Sequence, residues 1–171
     1  MSKAVLISIQ PQWCQKIVSG DKTIEVRKTR PKLETPFKCY IYCTYGAGLI
    51  ERFDACYPNE LLGIRVSKDK TWGNCCNGTV IGEFICDRIF RGSENYRVFI
   101  SNICAPACLL ESEVVDYQGD ASEIYGWHIS KLCLYYSLKE LSEFTGLRKT
   151  KFGYMPYEIK RAPQSWCYVE D

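Results

Sequence analysis

The chain has 171 residues, which points to one domain over residues 1–171, and its 46% hydrophobic and 25% charged content excludes general disorder. No apolar run reaches the roughly 18–20 residues that cross a bilayer, so no membrane partner is expected. The formal charge of +2 hides an uneven distribution: residues 1–40 carry eight Lys/Arg against three acids, residues 148–161 five against one, and residues 106–127 five acids with no Lys or Arg. A positive face of that kind attracts phosphate through counterion release.

Residues 4–9 predict a short buried strand. Pro11 suits the first turn of a helix, Trp13 and Ile17 recur at helical spacing, and Gly20 is a natural stop. From Thr23 to Lys28 the residues alternate. Ile24 and Val26 point one way, and Thr23, Glu25 and Arg27 the other, as in a half-buried strand. Residues 29–37 hold two prolines and predict a loop, and 38–44 another strand. The irregular stretch 45–78 is expected to be an insertion. Residues 79–90 are the strongest strand, with Gly82 marking a bulge or a close backbone approach. Short helices are expected over 106–116 and 120–125, and a strand over 127–136. A helix over 137–145 would be capped by Ser137 with Glu140 and closed by Gly146, and 165–169 would form a last strand. About six strands with a few short helices predict an α+β fold, a small mixed β-barrel with flanking helices.

Eleven cysteines are an odd number, and residues 4–9 are too short for an export signal core. Both features point to a reducing, cytoplasmic setting. No C-x-x-C pair occurs, and Cys39 and Cys43 would lie about 13 Å apart along a strand, too far to share one ion. Neither a metal nor another cofactor is expected; the thiols read as small hydrophobes.

The segment Gly20–Arg27 carries the chemistry. Lys22 lies at a turn, and Glu25 and Arg27 follow on one face of the next strand, about 7 Å apart. A mobile cation, a carboxylate and a rigid guanidinium fork at one rim can recognise a polar, planar or phosphorylated guest. Ordinary salt-bridge pairing along an exposed strand uses the same spacing. Trp13, Trp127 and Tyr45 are candidates for base stacking, Trp13 from the apolar side of its helix. Glu83 shares a strand face with Ile81 and Ile85, so its carboxylate needs a partner, for which Lys22 or Arg27 would serve. A lone histidine, His128, reads as structural.

Ser8-Ile9-x-Pro11 followed by Gly20-x-Lys22-Thr23-x-Glu25-x-Arg27 resembles the signature of the ASCH domain (activating signal cointegrator homology), a branch of the PUA-like superfamily. The similarity continues through Lys38–Thr44, Gly78–Phe84, Tyr125–Ile129 and Pro163–Val169, leaving out roughly 45–77 and 88–105. The resemblance implies a PUA-like barrel whose cleft wall carries the Gly20–Arg27 element and binds RNA or nucleotides, with Ser8, Lys22, Glu25, Arg27 and Trp127 as ligand-binding residues. It also leaves an enzymatic alternative. One bacterial branch of the family hydrolyses the amide of acylated cytidine with a lysine, a threonine and a glutamate. Lys22 matches that lysine, Glu25 stands where the threonine would be, and Glu83 is a third candidate on physical grounds alone. RNA cleavage, known for some members, would use Lys22 against the pentacovalent phosphate. A third alternative is an adaptor that meets a protein partner through 45–78.

Overall fold

A computed structural model describes residues 2–46, 65–66, 77–92 and 95–171. Most of the expected insertion at 45–78 therefore lies outside the described residues. The remainder is a mixed α+β fold built on one large sheet of nine strands with three helices.

The largely apolar run Lys3–Ile9 forms strand β1, buried along almost its whole length because it is paired on both edges. Pro11–Val18 follows as helix α1, with proline in its first turn and Gly20 just beyond its end at φ 82°, a left-handed value that suits glycine. Ile24–Arg27 is β2 and Phe37–Cys43 is β3, which runs parallel to β1. A two-residue bridge, Arg65–Val66 (β4), pairs with a later strand. The long strand Thr79–Arg91 (β5) leads to helix α2 (Tyr96–Ala107), capped by the Asn95 side chain, which accepts from the Val98 N–H at 3.2 Å. Helix α3 (Glu111–Gln118), the long strand Tyr125–Lys139 (β6), a 3₁₀ turn at Leu141–Glu143 and the hairpin β7 (Thr145–Thr150) and β8 (Gly153–Glu158) come next. Trp166–Glu170 (β9) is last.

The sheet order is β2-β6-β5-β3-β1-β9-β7-β8, with β4 beside β6. Among the described residues no ladder joins β2 to β8, so the sheet is open where a closed barrel was expected. Side-chain alternation divides the core between two faces. Val5, Ile7, Ile41, Phe84 and Trp127 pack beneath α1, while Leu6, Tyr40, Tyr42, Val80 and Tyr135 form a second cluster. A third cluster joins Ile24 and Val26 of β2 to Phe99, Ile100 and Ile103 of α2 and Val114 of α3.

Several expected elements are corrected. The segment 137–145 is not a helix: β6 continues to Lys139, and the capping geometry belongs to the 3₁₀ turn, where Glu143 accepts from the Glu140 N–H at 2.7 Å. The expected helices 106–116 and 120–125 give way to α2 ending at Ala107, α3 over Glu111–Gln118, and a strand that starts at Tyr125. The β7–β8 hairpin was not anticipated. Gly82 does mark both a register shift and a close approach: a Cβ there would lie 2.5 Å from the Cys133 carbonyl oxygen.

Candidate functional site

The period-two pattern of β2 fixes the site. Ile24 and Val26 are buried against α2, so Glu25 and Arg27 face the other way, beside α1 and the end of β1. Glu25 is only 6% exposed and Lys22 3%. One Glu25 oxygen lies 2.8 Å from the Arg27 guanidinium, and the other 3.4 Å from the Lys22 ammonium. Arg27 also donates to the Ser8 carbonyl oxygen at 2.6 Å, tying β2 to β1. Lys22 donates to the Ala107 carbonyl oxygen at 2.8 Å. That carbonyl ends α2, where the next residue, Cys108, turns left-handed at φ 56°, so a cation there satisfies an orphan acceptor and the negative end of the helix dipole. The Lys22 ammonium also stands 5.2 Å from the centroid of the Trp13 ring.

These groups form one wall of a cleft of about 730 Å³, within the size range of small-molecule sites. Ser8, Ile9, Gln10 and Trp13 line it from β1 and α1, and Lys22, Glu25, Arg27, Lys28 and Thr29 from β2 and its flanks. Leu109, Glu113 and Tyr117 line it from α3 and the turn before it, and Gln164 and Ser165 from the approach to β9. The Ser8 hydroxyl donates to the Pro163 carbonyl oxygen at 2.6 Å, which fixes this last segment beside β1.

Ser8, Lys22, Glu25 and Arg27 are thus brought together as the sequence pattern expects. Trp127 is not. It is fully buried, packed between Phe37 and Trp166 at ring separations of 6.0 Å, and offers no face to a guest. Glu83 also lies elsewhere. Register shifts in β5 on either side of it change the parity of the strand, and its carboxylate accepts a hydrogen bond from the Tyr135 hydroxyl, opposite Tyr40. It partners neither Lys22 nor Arg27, and a catalytic set of Lys22, Glu25 and Glu83 is not assembled. Burial and the nearby Glu83 charge push the Tyr135 phenol far above its ordinary range. Tyr45 is 79% exposed at the border of the described residues. His128 sits at the surface with Nδ1 2.6 Å from an Asp87 carboxylate oxygen.

The aromatic walls of the cleft are Trp13 and Tyr117. Tyr117 was missed because it arrives from α3, about ninety positions away in the chain from β2; Lys28 holds its ammonium 5.2 Å from that ring. Gln164 and Ser165 lay within the Pro163–Val169 segment but carried no separate signal. Among the described residues no group of three or more His, Cys, Asp and Glu is arranged to hold a metal. Cys39 and Cys86 are core residues whose thiols are pushed up by burial, Cys86 to about 12.

No family model matches this sequence, and no curated protein matches it. Solved structures do. ASCH from Zymomonas mobilis is 18% identical with a TM-score of 0.59, the match covering 98% of this chain and 88% of that one. A tyrosine-to-phenylalanine variant of the same protein is 18% identical at a TM-score of 0.58, over 99% and 92% of the two chains. A serine-to-alanine variant is 17% identical at 0.59, over 98% and 89%. At this identity the likeness establishes the fold.

Proposed function

We propose that this chain, whose fold is that of the ASCH proteins, is a binding module that captures single-stranded RNA or nucleotides in the cleft beside Gly20–Arg27, with the helices and the open sheet acting as a PUA-like scaffold. The observation that carries this reading is the convergence of Lys22, Glu25 and Arg27, nearly buried, on a hollow that also holds Trp13, Lys28 and Tyr117. Buried charges locked to one another and to backbone carbonyls are preorganised, so a guest meets donors and acceptors already in position. Lys28 at the rim supplies a cation for phosphate, and the rings of Trp13 and Tyr117 supply apolar faces for a base.

The roles divide by depth. Lys22 spends its ammonium on the Ala107 carbonyl and Glu25, so it shapes the wall, while Lys28 and Tyr117, the ammonium 5.2 Å from the ring, are the groups that meet the guest. Fluorescence anisotropy with a labelled single-stranded RNA tests the reading. Tyr117→Ala is expected to weaken binding about five-fold or more, and Lys28→Ala to weaken it and reduce the salt slope by about one. Affinity unchanged in both variants, each with an unaltered melting temperature, would overturn the assignment.

A further inference from the structure

The cleft is not an isolated hollow. Its Lys28–Thr29 edge continues into a basic loop that crosses to the outer strands, and the join is made by hydrogen bonds. The Trp166 indole N–H donates to the Thr29 hydroxyl at 3.0 Å, and the Lys32 N–H donates to the Tyr168 hydroxyl at 2.7 Å. From there a row of rings crosses the sheet. Trp166 and Tyr168 meet at 5.3 Å between centroids, and Tyr168 and Tyr154 at 5.5 Å, both edge to face. The Lys3 ammonium stands 3.9 Å from the centroid of Tyr154. Cross-strand pairing sets Lys149 opposite Tyr154, so the two share a face. Beyond them the hairpin tip presents Phe152, 83% exposed, with the Lys151 ammonium 4.9 Å from its ring. The tip is held by Thr150, whose hydroxyl donates to the Gly153 carbonyl oxygen at 2.9 Å and accepts from the Phe152 N–H at 3.2 Å.

From this we infer that the ligand is a polynucleotide strand and that the loop at residues 28–32 and the β7–β8 hairpin form a second contact region, engaging the backbone and one base of the strand that leaves the cleft. This rests on the cleft reading above. Three features carry it: cations spaced from the cleft edge to the hairpin tip, aromatic rings between them, and a turn that fixes Phe152 with most of its ring exposed. Glu34 beside Lys32, Glu170 opposite Lys3 and Glu158 on the Tyr154 face of β8 are acids along the route. The step from β1 through β9 and β7 to β8 is three inter-strand spacings, about 14 Å. That width suits several nucleotides and exceeds the reach of a single one.

The test compares a nucleoside monophosphate with a single-stranded RNA of about eight nucleotides. Wild-type protein, the hairpin variant Lys149→Glu/Lys151→Glu/Phe152→Ala and the cleft variant Tyr117→Ala are each titrated across a salt series. The changed hairpin residues are exposed, so folding is retained and is checked by melting temperature. The expected result is octamer binding at least ten-fold tighter than mononucleotide binding. The hairpin variant loses that advantage and lowers the salt slope, and its mononucleotide affinity is unchanged. An octamer affinity and salt slope identical to wild type in the hairpin variant would overturn the second contact region while leaving the cleft reading intact. Octamer binding lost in the hairpin variant but untouched by Tyr117→Ala and by Lys28→Ala would overturn the cleft reading and, with it, the path of a strand from cleft to hairpin. Absence of binding to either probe would overturn both.

Discussion

Glu25 is the residue on which the site turns. It separates two cations that would otherwise face each other with almost no solvent between them. Glu25→Gln leaves both charges buried without a compensating carboxylate, and is expected to destabilise the fold by about 3 kcal/mol. Urea unfolding measures this; a loss under about 1 kcal/mol would mean that water reaches the pair. Asp171 offers a pH test. Its carboxylate lies 2.6 Å from the Lys38 ammonium and accepts from the Tyr40 hydroxyl at 3.1 Å. The hydrogen bond from Lys38 outweighs desolvation and holds the Asp171 carboxyl below its ordinary value. Such a group contributes stability above the unfolded value near about 4, and that contribution is lost as pH falls through the lower folded value. Asp171→Asn should therefore melt below wild type near neutrality, with the gap closing in acid. A gap of constant size over the whole range would contradict the ion pair. At this scale the sequence was most legible in β2, where alternation alone put Glu25 and Arg27 on one side. It was least legible at Trp127 and Glu83, because burial and the parity changes of a bulged strand depend on partners far away in the chain.

Among the elements, β5 and β6 show how pairing overrides local signals. Ser137 and Glu140 have capping-box spacing, yet the chain there stays extended, because Leu134 and Tyr135 are already committed to the sheet and its core. The cap is made three residues later by Glu143. Helix α2 was overlooked although Phe99, Ile100, Ile103 and Ala107 recur at helical spacing, because Pro106, one position before the end, interrupts the pattern. Gly82 was legible as a special position, and the prediction attached to it is direct. Gly82→Ala sets a methyl against the Cys133 carbonyl, which is backbone and cannot swing aside. The expected loss is about 1–3 kcal/mol, read as a lower urea midpoint with an unchanged slope. An unchanged midpoint would show that β5 and β6 separate at the bulge at little cost.

Across the whole molecule, the two basic ends of the chain become neighbours because β1, β9, β7 and β8 lie side by side in the sheet. The acidic stretch 106–127 supplies α3 and its flanks, on the opposite wall of the cleft, where Glu113 lines the cleft and also accepts from the Leu110 N–H at 2.7 Å. The mixed α+β class was therefore readable from the pattern of strands and helices, while the open path of nine strands was not, since strand order is a matter of long-range pairing. The ammonium of Lys22 has a further consequence. It fastens the last carbonyl of α2 to the wall that carries Glu25, and α3 begins only a few residues beyond that fastening. The two sides of the groove are thus mechanically linked, and the proposed guest, held between Trp13 and Tyr117, would brace the same joint from the solvent side. Amide hydrogen exchange over Val114–Gln118 should slow when the groove is filled, and Lys22→Met should remove most of that slowing even where the guest still binds. Equal protection in both proteins would mean that the two walls respond independently.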